Sequence, residues 1–197
     1  MTFSNQPAEN CYKQFDRFIN GLMPDAIDLQ IECESQTAIN SPGLRIKFND
    51  IIVYDQKLTD GVHNISVTMT PNNKQSQVLS ISMYGKTNRD TIVENGVIIK
   101  DTNIKLSKIN INNYSLLDDY DFFNENFLYV NEDKEQAPMT GFWSNSRLEL
   151  QFDNPFELWY NSVSKKNVLI SSMMRHRAAH NLDELVVDLE ASLKKLV

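Results

Sequence analysis

Apolar residues fall at every second position through most of the middle of the chain. Ile27, Leu29, Ile31 and Cys33 alternate with Asp28, Gln30 and Glu32, and Leu44, Ile46 and Phe48 alternate with Arg45 and Lys47. Ile65, Val67 and Met69 follow, then Leu79, Ile81 and Met83, and later Leu148, Leu150 and Phe152. A period of two turns one row of side chains into a core and the other toward water, so these runs predict half-buried strands. Turn residues punctuate them: Asn49-Asp50, Pro71-Asn72-Asn73, Gly85, Asn95-Gly96 and Asp153-Asn154-Pro155. Asn49-Asp50 between two apolar runs predicts a tight hairpin, and Glu94-Asn95-Gly96 predicts another. Ile104 and Leu106 share one phase while Ile109 and Ile111 share the other, which predicts a bulge at Ser107-Lys108. Gly85–Asp90 reads as a loop, and Phe127 with Tyr129 as one short strand in an acidic, aromatic stretch.

The two ends follow a different rhythm. Residues 7–21 read as a helix with Cys11, Phe15, Phe18 and Leu22 on one stripe, closed by Asn20-Gly21 and Pro24. Residues 168–179 and 181–197 also read as helical. Leu182, Leu185, Val186, Leu189, Leu193 and Leu196 form a stripe in the second, Asn181 caps it, and Lys194 and Lys195 suit its C-terminal end. Roughly nine to eleven short strands with turns between them, and no strand–helix alternation, predict a mainly β protein: an antiparallel, jelly-roll-like β-sandwich. The expected organisation is an N-terminal helix over 1–24, a sandwich over 25–160, and a linker with C-terminal helices over 161–197.

Composition narrows the role. The 197 residues carry a formal charge of −7, which argues against a phosphate-binding nucleic-acid partner. No apolar stretch is long enough to cross a membrane, and Met1–Asn10 lacks the pattern of a secretory signal, so the expected product is soluble and made in a cytoplasm. Cys11 and Cys33 show no metal or redox spacing and read as buried free thiols. His176 and His180 stand four apart on an expected helix, but Arg177 occupies the place a metalloprotease gives to glutamate. They read as solvated, and His63 beside Gly61 reads as a turn residue. No nucleophile, phosphate loop or metal triad is present, so no catalytic residue is assigned.

Two sets of residues are candidates for contact. Asp118, Asp119, Asp121 and Glu125 read as a solvated acidic loop with no cofactor; the alternative is calcium, which could use the oxygens they gather, although the spacing of an EF-hand is absent. Trp143, Trp159, Tyr120, Phe122, Phe123 and Tyr160 supply rings on which a sugar could stack, or serve as core and interface anchors. If Phe156–Tyr160 is a strand, Leu158 and Tyr160 face one way and Trp159 the other. For a ligand site the choice is Trp143 and Tyr120 with Asp118, Asp119 and Asp121.

Thr87-Asn88-Arg89-Asp90-Thr91, the Ile104–Asn112 run and Gly141-Phe142-Trp143 leading into Leu148–Phe152 carry a resemblance. So do Asp153-Asn154-Pro155-Phe156 and Leu158-Trp159. From Asn88 to Leu158 the chain resembles small β-sandwich proteins of tailed phages of marine bacteria, with a likeness to carbohydrate-binding modules. The resemblance implies a sandwich in a virion or glycan-binding setting and no catalytic residues. Joined to the terminal helices, it leads to the expectation of a non-enzymatic virion protein. Phe15, Phe18, Leu185, Leu189 and Leu193 would contact other virion proteins or a second copy. The alternative is a glycan-binding module, and a sandwich hydrolase is a third reading.

Overall fold

The computed structural model describes residues 26–72, 76–131 and 134–164. The expected helices at 7–21, 168–179 and 181–197 lie outside the described residues. So do Cys11, His176, His180 and the proposed contacts Phe15, Phe18, Leu185, Leu189 and Leu193. The chain divides into two units, Met1–Trp159 and Tyr160–Val197. In the second, the described residues 160–164 are helical.

The described residues hold thirteen strands. In the first half these are β1 (Ile27–Gln36), β2 (Gly43–Phe48), β3 (Ile51–Lys57), β4 (Gly61–Met69), β5 (Ser76–Tyr84), β6 (Thr91–Glu94) and β7 (Val97–Asp101). The rest are β8 (Asn103–Ile111), β9 (Tyr114–Ser115), β10 (Phe127–Asn131), β11 (Lys134–Gln136), β12 (Gly141–Phe142) and β13 (Ser146–Asp153). The helix α1 (Tyr120–Asn126) precedes β10. One five-stranded sheet has the order β12-β8-β1-β4, with β9 beside β8, and a six-stranded sheet runs β11-β10-β13-β5-β2-β3. A separate hairpin pairs β6 with β7. Every pairing is antiparallel.

The sandwich follows from the period-two pattern. Ile27, Leu29, Ile31 and Cys33 of β1 are buried, as are Leu44, Ile46 and Phe48 of β2, Leu79, Ile81 and Met83 of β5, and Leu148, Leu150 and Phe152 of β13. The two apolar faces meet: Tyr129 of the six-stranded sheet stacks on Phe142 of the five-stranded one, with centroids 5.9 Å apart. Asn49 (φ 50°) and Asp50 (φ 67°) make the turn between β2 and β3, and Asn95 (φ 51°) and Gly96 (φ 79°) the one between β6 and β7. Two successive positive φ angles match the right-handed twist of the flanking strands. The phase slip in β8 is a bulge: Glu32 pairs with Lys108 but Cys33 with Leu106, leaving Ser107 over. The hydroxyl of Ser107 donates to the Glu32 main-chain oxygen at 3.2 Å and carboxylate at 2.8 Å.

Three expectations change. The strand count exceeds the expected range because β9, β11 and β12 are only two or three residues long, too short to show a period. Phe156–Tyr160 is helical rather than extended, so Phe156 and Trp159 share a side and their rings lie 5.8 Å apart. The turn at Asn154-Pro155 starts this helix, since proline's fixed φ suits a first helical turn. His63 is a strand residue, not a turn: it pairs with Cys33 from within β4, and Nε2 lies 2.8 Å from the Thr59 carbonyl oxygen. The helix α1, unforeseen, is capped by Asp119, whose carboxylate accepts from the Phe122 amide at 3.0 Å.

Candidate functional site

Trp143 stands just beyond the edge strand of the five-stranded sheet. Gly141 pairs with Lys105 and Phe142 with Ile104; Trp143 follows in a bend, one residue past the last pair, and β8 begins at Asn103. Phe142 is fully buried between the sheets, and Trp143, next along the chain, is exposed. The indole folds back over Gly141, where a Cβ would fall within the ring. Only a glycine lets the ring lie this close to the main chain. Trp143 remains 47% exposed, a large value for a residue of this size.

The loop that presents this ring is firmly tied. The Lys86 ammonium donates to the Trp143 carbonyl at 2.6 Å and to the Asp101 carboxylate at 2.6 Å. Asp101 also accepts from the Thr91 hydroxyl at 2.5 Å. The Asn145 side chain accepts from the Lys86 amide at 2.9 Å and donates to the Lys86 carbonyl at 2.8 Å, as a neighbouring strand would. Ser144 donates to the Asn131 side chain at 3.0 Å. Across the register, the Asn103 amide donates to Gln36 Oε1 at 3.1 Å and to the Asp101 carbonyl at 3.2 Å. Asn103 is 4% exposed and its Oδ1 has no hydrogen-bond partner. An orphaned buried acceptor is destabilising, and this one is closed to solvent. The segment therefore carries a rigid aromatic plane at the end of an edge strand whose partner, β8, begins with Asn103.

The acidic segment lies elsewhere. α1 leads into Phe127, which pairs with Leu150, whereas the Trp143 loop leads into Ser146, which pairs with Asn131. The helix and the Trp143 loop thus lead to opposite ends of the five-residue β10, a strand roughly 16 Å long at about 3.3 Å per residue. Tyr120 is 74% exposed, and Asp118 and Asp121 are exposed. Asp119 is the helix cap, so part of its carboxylate is already committed. Among the described residues no three His, Cys, Asp or Glu side chains converge to hold a metal ion.

Of the other rings of the expected platform, Phe122 and Phe123 belong to the core, while Trp159 and Tyr160 are half-buried. Phe122 and Phe123 are buried, and Phe122 meets Phe127 and Trp159 edge-on at 6.4 and 5.7 Å. Trp159 also packs on Phe152 at 5.9 Å. Sequence reasoning passed over Gln36, Lys86, Asp101 and Asn103. Their one visible signal was phase: Gln36 falls on the polar beat of β1, across from the first residue of β8.

No protein-family model and no curated protein matches the chain. Two solved structures overlap with it in shape. One is vCBM60 in complex with galactobiose, at a TM-score of 0.39 and 6% identity, covering 62% of this chain and 96% of that one. The other is a selenomethionine form of vCBM60, described in connection with two families of calcium-dependent carbohydrate-binding modules. Its TM-score is 0.41 and its identity 5%, with 63% of this chain and 89% of that one covered. The tailed-phage likeness has no counterpart among these matches.

Proposed function

We propose that the chain is a non-catalytic glycan-binding module that takes a sugar ring on the outward side of Trp143. The supporting observation is the half-exposed indole laid on Gly141 and held by a tied loop. A flat ring offers an apolar surface to the C–H face of a pyranose, and aromatic contacts of this kind are worth about 0.5–1.5 kcal/mol beyond the area they bury. The exposed carboxamide of Gln36, paired with Asn103 at the start of β8, is the polar group this reading assigns to the sugar hydroxyls. Preorganisation helps as well, because the loop bonds spend no further entropy on binding.

Titration of the full chain with oligosaccharides selected on a glycan array tests this reading. Trp143→Ala is expected to weaken binding by about tenfold or more. Because the ring is half-exposed, the melting temperature should move by only about 2 °C. Gly141→Ala keeps the indole but displaces it, and should also weaken binding. Unchanged affinity in both variants refutes the proposal.

An assembly role is the second reading, and a different observation favours it. Val93, Val97, Ile98 and Ile99 of the β6–β7 hairpin are between 53% and 60% exposed. Contiguous exposed apolar side chains mark contact surfaces between proteins. In this reading the hairpin joins neighbouring subunits, other virion proteins among them; the virion itself is named only by the sequence likeness. Light scattering over a range of concentrations, on the wild type and on Ile98→Lys, tests it. A monomer at every concentration counts against self-association.

A further inference from the structure

The outward face of the six-stranded sheet holds a cleft of about 580 Å³. That volume lies within the usual range for small-molecule sites, about 300–1,000 Å³. Strand register dictates its walls. Ser82 of β5 pairs with Arg147 on one side and Arg45 on the other, and Ser80 pairs with Glu149 and Lys47. Short hydroxyl side chains thus form a floor between two rows of long charged ones. Ser82 donates to the Arg45 carbonyl at 3.3 Å, while the Ser80 hydroxyl has no hydrogen-bond partner among the described residues.

One end of the cleft is fixed by Tyr84. Its ring lies across Gly43, where a Cβ would fall within the ring, and its hydroxyl donates to Asp55 on β3. Arg45 Nε donates to the same carboxylate at 2.9 Å, and its guanidinium sits 4.6 Å above the Tyr84 ring. Arg147 pairs with Glu149 at 2.9 Å. The three cations Arg45, Lys47 and Arg147 are matched by the carboxylates Asp50 and Glu149 in the lining and Asp55 beside it. A site with no net charge gives no advantage to a phosphate or carboxylate ligand, whose capture relies on an excess of Lys and Arg. It does offer donors and acceptors in alternation, which suits a neutral molecule rich in hydroxyl groups. The floor from Val78 to Tyr84 runs along one strand for about 20 Å at ~3.3 Å per residue.

We infer that this cleft is a second ligand site, one that takes an extended neutral oligosaccharide along β5. Its lining comes from β2, β5, β10 and β13 of the six-stranded sheet, joined by Asp50 of the β2–β3 turn and by Asn145 of the loop that carries Trp143. With both sites occupied, one chain bridges two glycan segments, and binding to a repetitive polysaccharide exceeds either site alone.

The test uses the full chain and a panel of cellohexaose, xylohexaose and mannohexaose, with hexagalacturonate as an anionic control. Amide chemical shifts of the wild type should move at Ser80, Ser82 and Arg147 with at least one neutral hexasaccharide. Those shifts should persist in Trp143→Ala. Ser80→Trp fills the floor and should weaken that binding about tenfold or more. Arg147→Ala, which adds no bulk, provides a second reading if Ser80→Trp unfolds. Four results overturn the inference: shifts confined to the Trp143 face, undiminished binding by a folded Ser80→Trp variant, tighter binding of hexagalacturonate, or no binding of any neutral probe. Loss of the Trp143 response with the cleft shifts intact removes the first site and leaves this one standing.

Discussion

Asp90 is fully buried at the foot of the β6–β7 hairpin, and its carboxylate gathers four donors. One oxygen accepts from the Thr87 amide and hydroxyl, both at 2.8 Å. The other accepts from the Asn40 amide at 2.8 Å and side chain at 3.0 Å. Burial pushes the carboxyl up, but these hydrogen bonds outweigh it and bring the pKa down from 3.8 to about 2. Asp90→Asn keeps one acceptor oxygen and turns an NH₂ group toward two of the donors. Each lost bond to an ionised group is worth about 1.5–3 kcal/mol, and water reaches the exposed Thr87 and Asn40, so a net loss of about 3 kcal/mol is expected at neutral pH. The sign of the pH dependence follows from the lowered value. Between pH 3.8 and about 2 the unfolded chain holds more protons on this group than the folded one, so its contribution is full above that window and fades as pH falls through it. Urea unfolding of wild type and variant should therefore show a gap that is wide at neutral pH and narrows in acid. A gap of the same size at neutral pH and near pH 2 refutes the reasoning. Because Lys86 lies just before this turn and holds the Trp143 carbonyl, glycan binding should weaken over the same acid range.

Two further outcomes test the core. Phe152→Ala empties a site ringed by Phe48, Phe156 and Trp159, and should cost about 3–5 kcal/mol in chemical denaturation; a loss under about 1 kcal/mol contradicts the packing. The Cys33 thiol is pushed up to about 11, first by burial and then by Glu32, so in a Cys11→Ser chain a thiol reagent at mildly alkaline pH should label it only as fast as the protein unfolds. Rapid labelling of the folded chain counts against that burial.

How far the sequence could be read depended on which interaction governed each segment. β1, β2, β5 and β13 announced themselves because burial on one face forces a period of two, and the β8 bulge appeared as a break in that period. Asn49-Asp50 and Asn95-Gly96 were legible because few residues tolerate positive φ. Local chemistry failed where tertiary contacts decided. Phe156–Tyr160 fits a strand or a helix by period alone, and packing of Phe156 and Trp159 on Phe152 selects the helix. Tyr120, Phe122 and Phe123 look alike in sequence, yet the first is exposed and the other two are buried, because α1 turns only one face to the sandwich.

The surfaces proposed for binding lay in the half of the pattern that period-two reading sets aside. Alternation identifies the buried beat and leaves the outward one undifferentiated, so nothing in the period singles out Arg45, Ser80, Ser82 or Arg147. Pairing gives them meaning: Arg147, Ser82 and Arg45 belong to three strands distant in sequence, and only the order β13-β5-β2 sets them in one row. The same holds for Trp143, whose ring lies against Gly141 two residues earlier at the end of a strand paired with β8. In both places a glycine lets an aromatic ring lie on the main chain, Tyr84 over Gly43 and Trp143 over Gly141, but the consequences differ. Tyr84 is capped on its free side by the Arg45 guanidinium and serves as a wall. The Trp143 indole is held at its carbonyl by Lys86 while nearly half its surface stays open, so it is the ring left free to receive a ligand.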